Sequence, residues 1–187
     1  TVSQNQDYTA QCATDVAIVL DRSTSIVNGN LTQGVRDAFL AFADQLNLNR
    51  QLVQPVADVK LSTFRFGTDA FTDIVNLSLT DTTYANEFTD FANNTYNPPS
   101  SGQGTNYDRA FQEVFNSGAE YDYVVFMSDG VPTYWEDPDG NLRGTGTHNN
   151  GIDASTGETV AGGQNVINSA SEGAEIANQI KDDGSHI

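Results

Sequence analysis

The sequence predicts an α/β fold in three layers: a mostly parallel central sheet, helices on both faces, and one short antiparallel edge strand. Three observations predict it. Two short runs, Asp15-Val16-Ala17-Ile18-Val19-Leu20-Asp21 and Tyr123-Val124-Val125-Phe126-Met127-Ser128-Asp129, are apolar without alternation, as strands buried on both faces are. Between them, apolar residues recur at three- and four-residue spacing, the period of a helix with one buried face. Strand-like and helix-like segments then take turns along the chain, which is the pattern of parallel pairing through crossovers.

The elements follow in order. Residues 1–13 are polar and read as an extension, with the domain expected over 14–187. The first strand ends at Asp21, and Arg22-Ser23-Thr24-Ser25 reads as a turn. Residues 31–48 put Leu31, Val35, Ala38, Phe39, Phe42 and Leu46 on one helical face. Val59 to Phe66 alternates as a second strand, Gly67-Thr68 is a tight turn, and residues 70–75 pair back as a short hairpin strand. Helices are expected at 81–93, with Asp81 or Thr82 as N-cap, and at 106–117, with Thr105 at the N-cap and Ala110, Phe111, Val114 and Phe115 inward. After the second apolar strand comes a stretch rich in Gly, Asn, Thr and Asp, residues 131–163, of a length usually reserved for function or disorder. A last helix, 165–182, carries Val166, Ile167, Ala170, Ala174, Ile176, Ala177 and Ile180. The sum is a Rossmann-like three-layer sandwich.

Composition removes whole classes of function. The 187 residues carry 8 Lys+Arg against 25 Asp+Glu, a net charge of −17. Nucleic acid and anionic membrane surfaces both need clustered cations that this chain lacks. No apolar run approaches the roughly 18 residues of a membrane span. The polar remainder is Asn, Thr, Ser and Gly, and the one cysteine, Cys12, has no internal partner for a disulfide. Together with the absence of a basic-then-apolar leader, this suits a secreted or surface protein of a bacterium after its signal peptide has gone.

Ligands of an open parallel sheet bind beyond the carboxyl ends of its strands. Two strands end there in an aspartate, Asp21 and Asp129. Hydroxyls follow the first at alternate positions, giving Asp21-x-Ser23-x-Ser25, and Thr105 stands in the glycine-rich Gly102-Gln103-Gly104-Thr105-Asn106 that opens a helix. All are hard oxygen donors with no Cys or His among them. That selects Mg²⁺, or Mn²⁺ or Ca²⁺, over zinc or copper.

The pattern resembles the von Willebrand factor type A domain with its metal-ion-dependent adhesion site. Asp-x-Ser-x-Ser at 21–25, Thr105-Asn106 before a helix and Ser128-Asp129-Gly130 after a strand carry the resemblance, in the family's order over residues 14–187. It implies that Ser23 and Ser25 bind the metal directly, Thr105 directly when a ligand is present, and Asp21 and Asp129 directly or through water. It implies a cell-surface or secreted module, of adhesin or pilus type, that captures a protein partner through an acidic side chain. The same motif also serves a metal-stabilised structural or assembly module and intracellular chelatase or ATPase-partner subunits.

Catalysis finds little support in the residues. A phosphatase of the haloacid dehalogenase type needs a second Asp where Ser23 stands. A Ser-His-Asp hydrolase needs a placed histidine, and the two present are His148, in a Gly/Asn-rich loop, and His186, at the end of the sequence. The chain is therefore expected not to be an enzyme.

The long loop leaves the strand bearing Asp129 and should rim the metal face. Tyr134 and Trp135 are its large aromatics, either partner anchors or packing for the loop itself. Asp137-Pro138-Asp139-Gly140-Asn141 has the spacing of a calcium loop without its downstream Glu, and a β-turn at Asp139-Gly140 is the plainer reading. Residues 151–160 read as a small hairpin. The resemblance further implies strands beyond 187, with the strand ending at Asp129 left as an apolar edge. Cys12 is then either free or paired with a residue past that point.

Overall fold

β1 (Thr14–Asp21) is the centre of the molecule, and six of its residues are buried, Val16 to Asp21. The computed structural model describes residues 14–52, 58–137, 139–144, 151–152, 159–160, 162–182 and 184–187. The extension 1–13 with Cys12, the loop around His148 and the turn 153–158 lie outside the described residues. After β1 come α1 (Thr24–Asn28), α2 (Thr32–Gln51), β2 (Val59–Phe66), β3 (Ala70–Ser78) and α3 (Tyr84–Asp90), which runs on into a π-helical turn, Phe91–Thr95. Next are α4 (Tyr107–Asn116), β4 (Tyr123–Met127), β5 (Tyr134–Glu136), β6 (Leu142–Gly144), β7 (Gly151–Ile152), β8 (Thr159–Val160) and α5 (Gly162–Asp182).

The main sheet has the order β3-β2-β1-β4. β1 pairs in parallel with β2 and with β4, while β3 is antiparallel to β2 at the edge. β1 alternates between two cores. Val16, Ile18 and Leu20 meet Phe39 and Ala43 of α2, Phe88 of α3, and Phe91 and Tyr96. Ala17 and Val19 meet Phe64 and Phe66 of β2, Ala110, Phe111 and Val114 of α4, and Ala177 and Ile180 of α5. Side chains from one strand thus fill both interlayer spaces, which explains why the run lacks polar alternation. Each such Phe or Leu contributes roughly 1.5–3 kcal/mol by burial.

Local differences from the expectations have physical causes. The turn expected at 22–25 is non-helical at Arg22 and Ser23 and passes at Thr24 into α1, a helix of 5 residues that is too short to show a period. The antiparallel strand runs on to Ser78, because register shifts near Thr63 let it keep pairing past Val75. Neither Asp81 nor Thr82 caps α3: Thr83 holds that position, and Asp81 instead accepts the Thr83 N–H at 2.8 Å. Asn106, not Thr105, is the N-cap of α4, its side chain accepting the Arg109 N–H at 3.1 Å. Phe115 faces outward at 41% exposure. On α5 the buried stripe is Ser169, Gly173, Ala177 and Ile180, whereas Ile167, Ala170 and Ala174 are exposed. Small residues occupy that stripe because α5 lies close on α4: a methyl on Gly173 would stand 2.8 Å from Tyr107 Cβ.

Residues beyond α5 return to the sheet. His186 bridges Tyr123 in parallel, its N–H donating to the Asp122 C=O at 2.8 Å while its own C=O accepts the Val124 N–H at 2.7 Å. The outer edge of β4 is therefore paired at its first residues, where an open edge was expected. Among the described residues, no helix is long and apolar enough to cross a membrane.

Candidate metal centre

β1 and β4 are parallel neighbours, so their carboxyl ends bring Asp21 and Asp129 to one edge of the sheet. Asp21 is 1% exposed. Its Oδ1 accepts the Ser23 N–H at 2.7 Å, and its Oδ2 accepts the Ser128 hydroxyl at 2.6 Å. The Ser23 and Ser25 hydroxyls are 2.8 Å apart, and Ser25 donates to Asp129 Oδ1 at 2.8 Å. Gly130 closes the loop beside them. A Cβ there would lie 3.8 Å from Ser25 Oγ and 3.9 Å from Thr105 Oγ1, so these two hydroxyls flank the same point from different segments. All five residues anticipated from sequence converge on this one edge.

The segment carrying Thr105 is fastened from three sides. Thr24 and Gln103 exchange bonds, the Thr24 N–H to the Gln103 C=O at 3.0 Å and the Gln103 N–H to Thr24 Oγ1 at 3.1 Å. Thr68 Oγ1 of the hairpin turn accepts the Gly104 N–H at 3.0 Å. From the long loop, the N–H groups of Thr133 and Tyr134 donate to the Thr105 C=O at 2.7 and 3.0 Å, and Thr133 Oγ1 accepts the Thr105 N–H at 3.1 Å. Gly104 is required here, since a Cβ would fall 2.3 Å from the Tyr134 ring. Tyr134 thus sits against the Thr105 loop. Trp135 is half-buried and pairs across β5 and β6 with Arg143.

Sequence reasoning missed three supporting side chains. Ser128 holds Asp21, as above. Tyr96, fully buried, donates its hydroxyl to the Asp21 C=O. Tyr107 donates to the Gly130 C=O at 2.6 Å, with Ser128 Oγ 3.2 Å away. Ser128 was signalled by its place in Ser-Asp-Gly. The tyrosines gave no signal, because their contacts reach across the fold.

Burial pushes the Asp21 carboxyl up from the usual range. Bonds from Ser128 and Ser23 oppose that, and the Asp129 charge adds to it. Burial likewise raises both tyrosines, Tyr96 far above its ordinary value, which keeps them protonated donors. The donor set fits a hard divalent cation. It gathers hydroxyls and two carboxylates at one point, and a cation there would relieve the repulsion between Asp21 and Asp129. Among the described residues no three His, Cys, Asp or Glu side chains cluster as a metal site built from those ligands would need.

The Asp137 turn is a turn. Its carboxylate accepts the N–H groups of Asn141 and Asp139 at 2.8 and 3.1 Å and is paired with Arg143, and Gly140 takes the left-handed conformation that closes the hairpin. The Asn141 amide, with Arg143, holds Asp137 at about 2. The hairpin expected at 151–160 is present as β7 paired with β8.

No family model and no curated protein matches the sequence. Among solved structures, the chain is similar to the pilus adhesin SpaC from Lactobacillus rhamnosus GG in its open conformation. That likeness has a TM-score of 0.60 at 18% identity and covers 92% of this chain and 23% of that one. A second crystal structure of SpaC gives 0.59, 16%, 92% and 24%. The vWF domain of the type V pili tip protein Mfa5 from Porphyromonas gingivalis gives 0.49 at 14%, covering 66% of this chain and 40% of that one. The chain spans about a quarter of the length of SpaC. The likeness to SpaC is one of fold: a mostly parallel sheet with one antiparallel pair, enclosed by helices.

Proposed function

We propose that Asp21, Ser23, Ser25, Thr105 and Asp129 hold a divalent cation, Mg²⁺ or else Mn²⁺ or Ca²⁺, at the surface of a bacterial adhesion module. One observation carries the reading: hydroxyls and carboxylates from three separate segments meet at the carboxyl edge of β1 and β4. The fold shared with a pilus adhesin supports a place on the cell surface. When bound, the cation supplies an electrophilic position for one more oxygen, which is the carboxylate of a protein partner. The chain prepares that position in two ways. Uncharged hydroxyls leave the cation's charge largely unspent, and Ser128 and the Ser23 amide fix the buried Asp21 so that the donors need not reorganise. Asp129 and Ser25 are exposed, so the partner can reach the centre.

Calorimetric titration with Mg²⁺ tests this on the wild-type protein and on Asp129→Ala, both checked for folding by circular dichroism. Saturable binding by the wild type that disappears in the variant is expected. No binding by folded wild type, or equal binding by both, overturns it. Partner capture lost in EDTA while the fold persists separates adhesion from a purely structural metal, whose removal by EDTA would instead lower the melting temperature with no capture to lose.

A further inference from the structure

Arg22 stands between Asp21 and Ser23 in sequence and, among the described residues, is the one arginine whose guanidinium has no hydrogen-bond or ion-pair partner. Arg36 donates to the Tyr96 C=O, and Arg50 to the Leu79 C=O and to Asn47. Arg65 donates to Asp73, Arg109 to Asp69 and Glu136, and Arg143 to Asp137. Among the described residues the Arg22 guanidinium makes no ion pair or hydrogen bond, and its Nε is buried with no acceptor. It rests instead on a ring. Phe71 has the Arg22 guanidinium carbon 5.4 Å from its centroid and that of Arg65 at 4.9 Å. The carboxylates nearest Arg22 in this corner already have partners, Asp73 being engaged by Arg65 and Asp69 by Arg109. Among the described residues Arg22 is thus left without a carboxylate of its own, in a chain of net charge −17.

The corner belongs to the metal face. The Arg22 N–H donates to the C=O of Phe66, the last residue of β2, at 2.6 Å. Phe71 pairs with Arg65, one residue from that end, and is 40% exposed. The buried Arg22 Nε–H without an acceptor is a donor whose desolvation nothing offsets. An arriving carboxylate would give this guanidinium the partner it lacks, since the guanidinium fork matches its geometry.

We propose that Arg22 is a second acid-binding point on the metal face, receiving a carboxylate of the protein partner whose first acidic side chain takes the cation. The preferred partner segment then carries two acidic residues. Only the first acid depends on the metal reading; the Arg22 contact stands without it. A protein segment fits better than a polyanion, because one cation in so acidic a chain attracts a single carboxylate and the remaining surface repels dense negative charge.

The test has two arms. In EDTA, ¹⁵N-labelled protein is titrated with acetate while the arginine Nε–H signals are followed, Arg22 being assigned by its loss in Arg22→Gln. A saturable shift confined to Arg22 is expected; an unmoved Arg22 signal overturns the inference, whatever Mg²⁺ does. In Mg²⁺, short peptides with one or two aspartates at varied spacing are compared on wild type and Arg22→Gln. The diacidic peptide should bind about tenfold tighter than the monoacidic one to wild type, the scale of one hydrogen bond to a charged group. That preference should vanish in Arg22→Gln, with Mg²⁺ affinity unchanged and the melting curve confirming the fold. Equal binding of both peptides to wild type, or a stronger Arg22 response to sulfate than to acetate, overturns it. If neither Mg²⁺ nor any peptide binds while the acetate shift persists, the metal reading fails and the Arg22 site remains.

Discussion

The Ser128 hydroxyl donates to Asp21 Oδ2 at 2.6 Å, joining the segment after β4 to the end of β1 across 107 positions of sequence. Asp21 is buried, and its carboxyl is already pushed up by that burial, so the bond offsets part of a real cost. In Ser128→Ala, stability should fall by about 1–3 kcal/mol, the range for a buried charged group that loses a donor. Mg²⁺ affinity should fall roughly tenfold, as when a residue that orients a metal ligand is removed. Urea unfolding and calorimetry read the two effects. Unchanged values for both would show that Asp21 does not depend on Ser128.

Tyr96 fixes the same strand end from the other core. Two bonds from Arg36 to its C=O hold it at the end of the π-helical turn, and its hydroxyl reaches the Asp21 C=O. Tyr96→Phe keeps the ring and its packing on Phe91 but leaves that carbonyl unpaired. A loss of about 1–3 kcal/mol is expected. In a chain of this length that lowers the melting temperature by roughly 2–4 °C per kcal/mol. A melting curve that overlays the wild type would remove Tyr96 from the support of the site.

Much of this was legible in the residues, for reasons that also mark the limits. β1 and β4 show as apolar runs because both faces of each are covered, and Asp21 and Asp129 stand out because a charge ending such a run needs a purpose. Ser23, Ser25 and Thr105 follow from local spacing. What escaped depends on contacts distant in sequence. Tyr96 and Tyr107 look like ordinary aromatics until the sheet brings β1 and β4 together. Thr105 and Asn106 are both good caps by type, and only the bond to the Arg109 N–H decides for Asn106. The apolar residues of α5 suggested a wider buried stripe than the close approach of α4 leaves room for, and Ser169 and Gly173 took the inner positions.

Asp137 gives a pH dependence of known sign. Its folded value, about 2, lies below the roughly 3.9 of an unperturbed aspartate, so its ionised form is favoured by the folded hairpin. The stabilisation is complete above the unfolded value and is lost as pH falls from about 4 towards 2. A carboxyl-carbon NMR titration should place the Asp137 midpoint near 2 in the wild type. In Arg143→Ala it should rise yet stay below about 3.9, because the Asn141 amide is the larger cause and remains. A midpoint at the unperturbed value in the wild type would mean that β5 and β6 are not joined by this turn.

Gly173 and Gly34 should respond to the same substitution with opposite signs. Both are helical, and replacing a helical glycine with alanine gains about 0.8–1.0 kcal/mol in an unobstructed interior. Gly34, exposed on α2, has nothing within 4 Å of its added Cβ, so Gly34→Ala should stabilise by a large part of that amount. Gly173 is buried against α4, where the methyl would stand 2.8 Å from Tyr107 Cβ and 3.4 Å from the Asp108 amide nitrogen. The first contact involves an atom bonded directly to the backbone, so relief requires α5 to move as a body. Overpacking of this kind costs about 1–3 kcal/mol, which exceeds the propensity gain. Gly173→Ala should therefore destabilise by about 1 kcal/mol and, by displacing Tyr107 from the Gly130 carbonyl, weaken Mg²⁺ binding as well. Urea denaturation of both variants decides the matter. A stabilised Gly173→Ala would mean that the two helices lie farther apart than 2.8 Å contacts require, and Tyr107 would lose its standing as a fixed support of the metal centre.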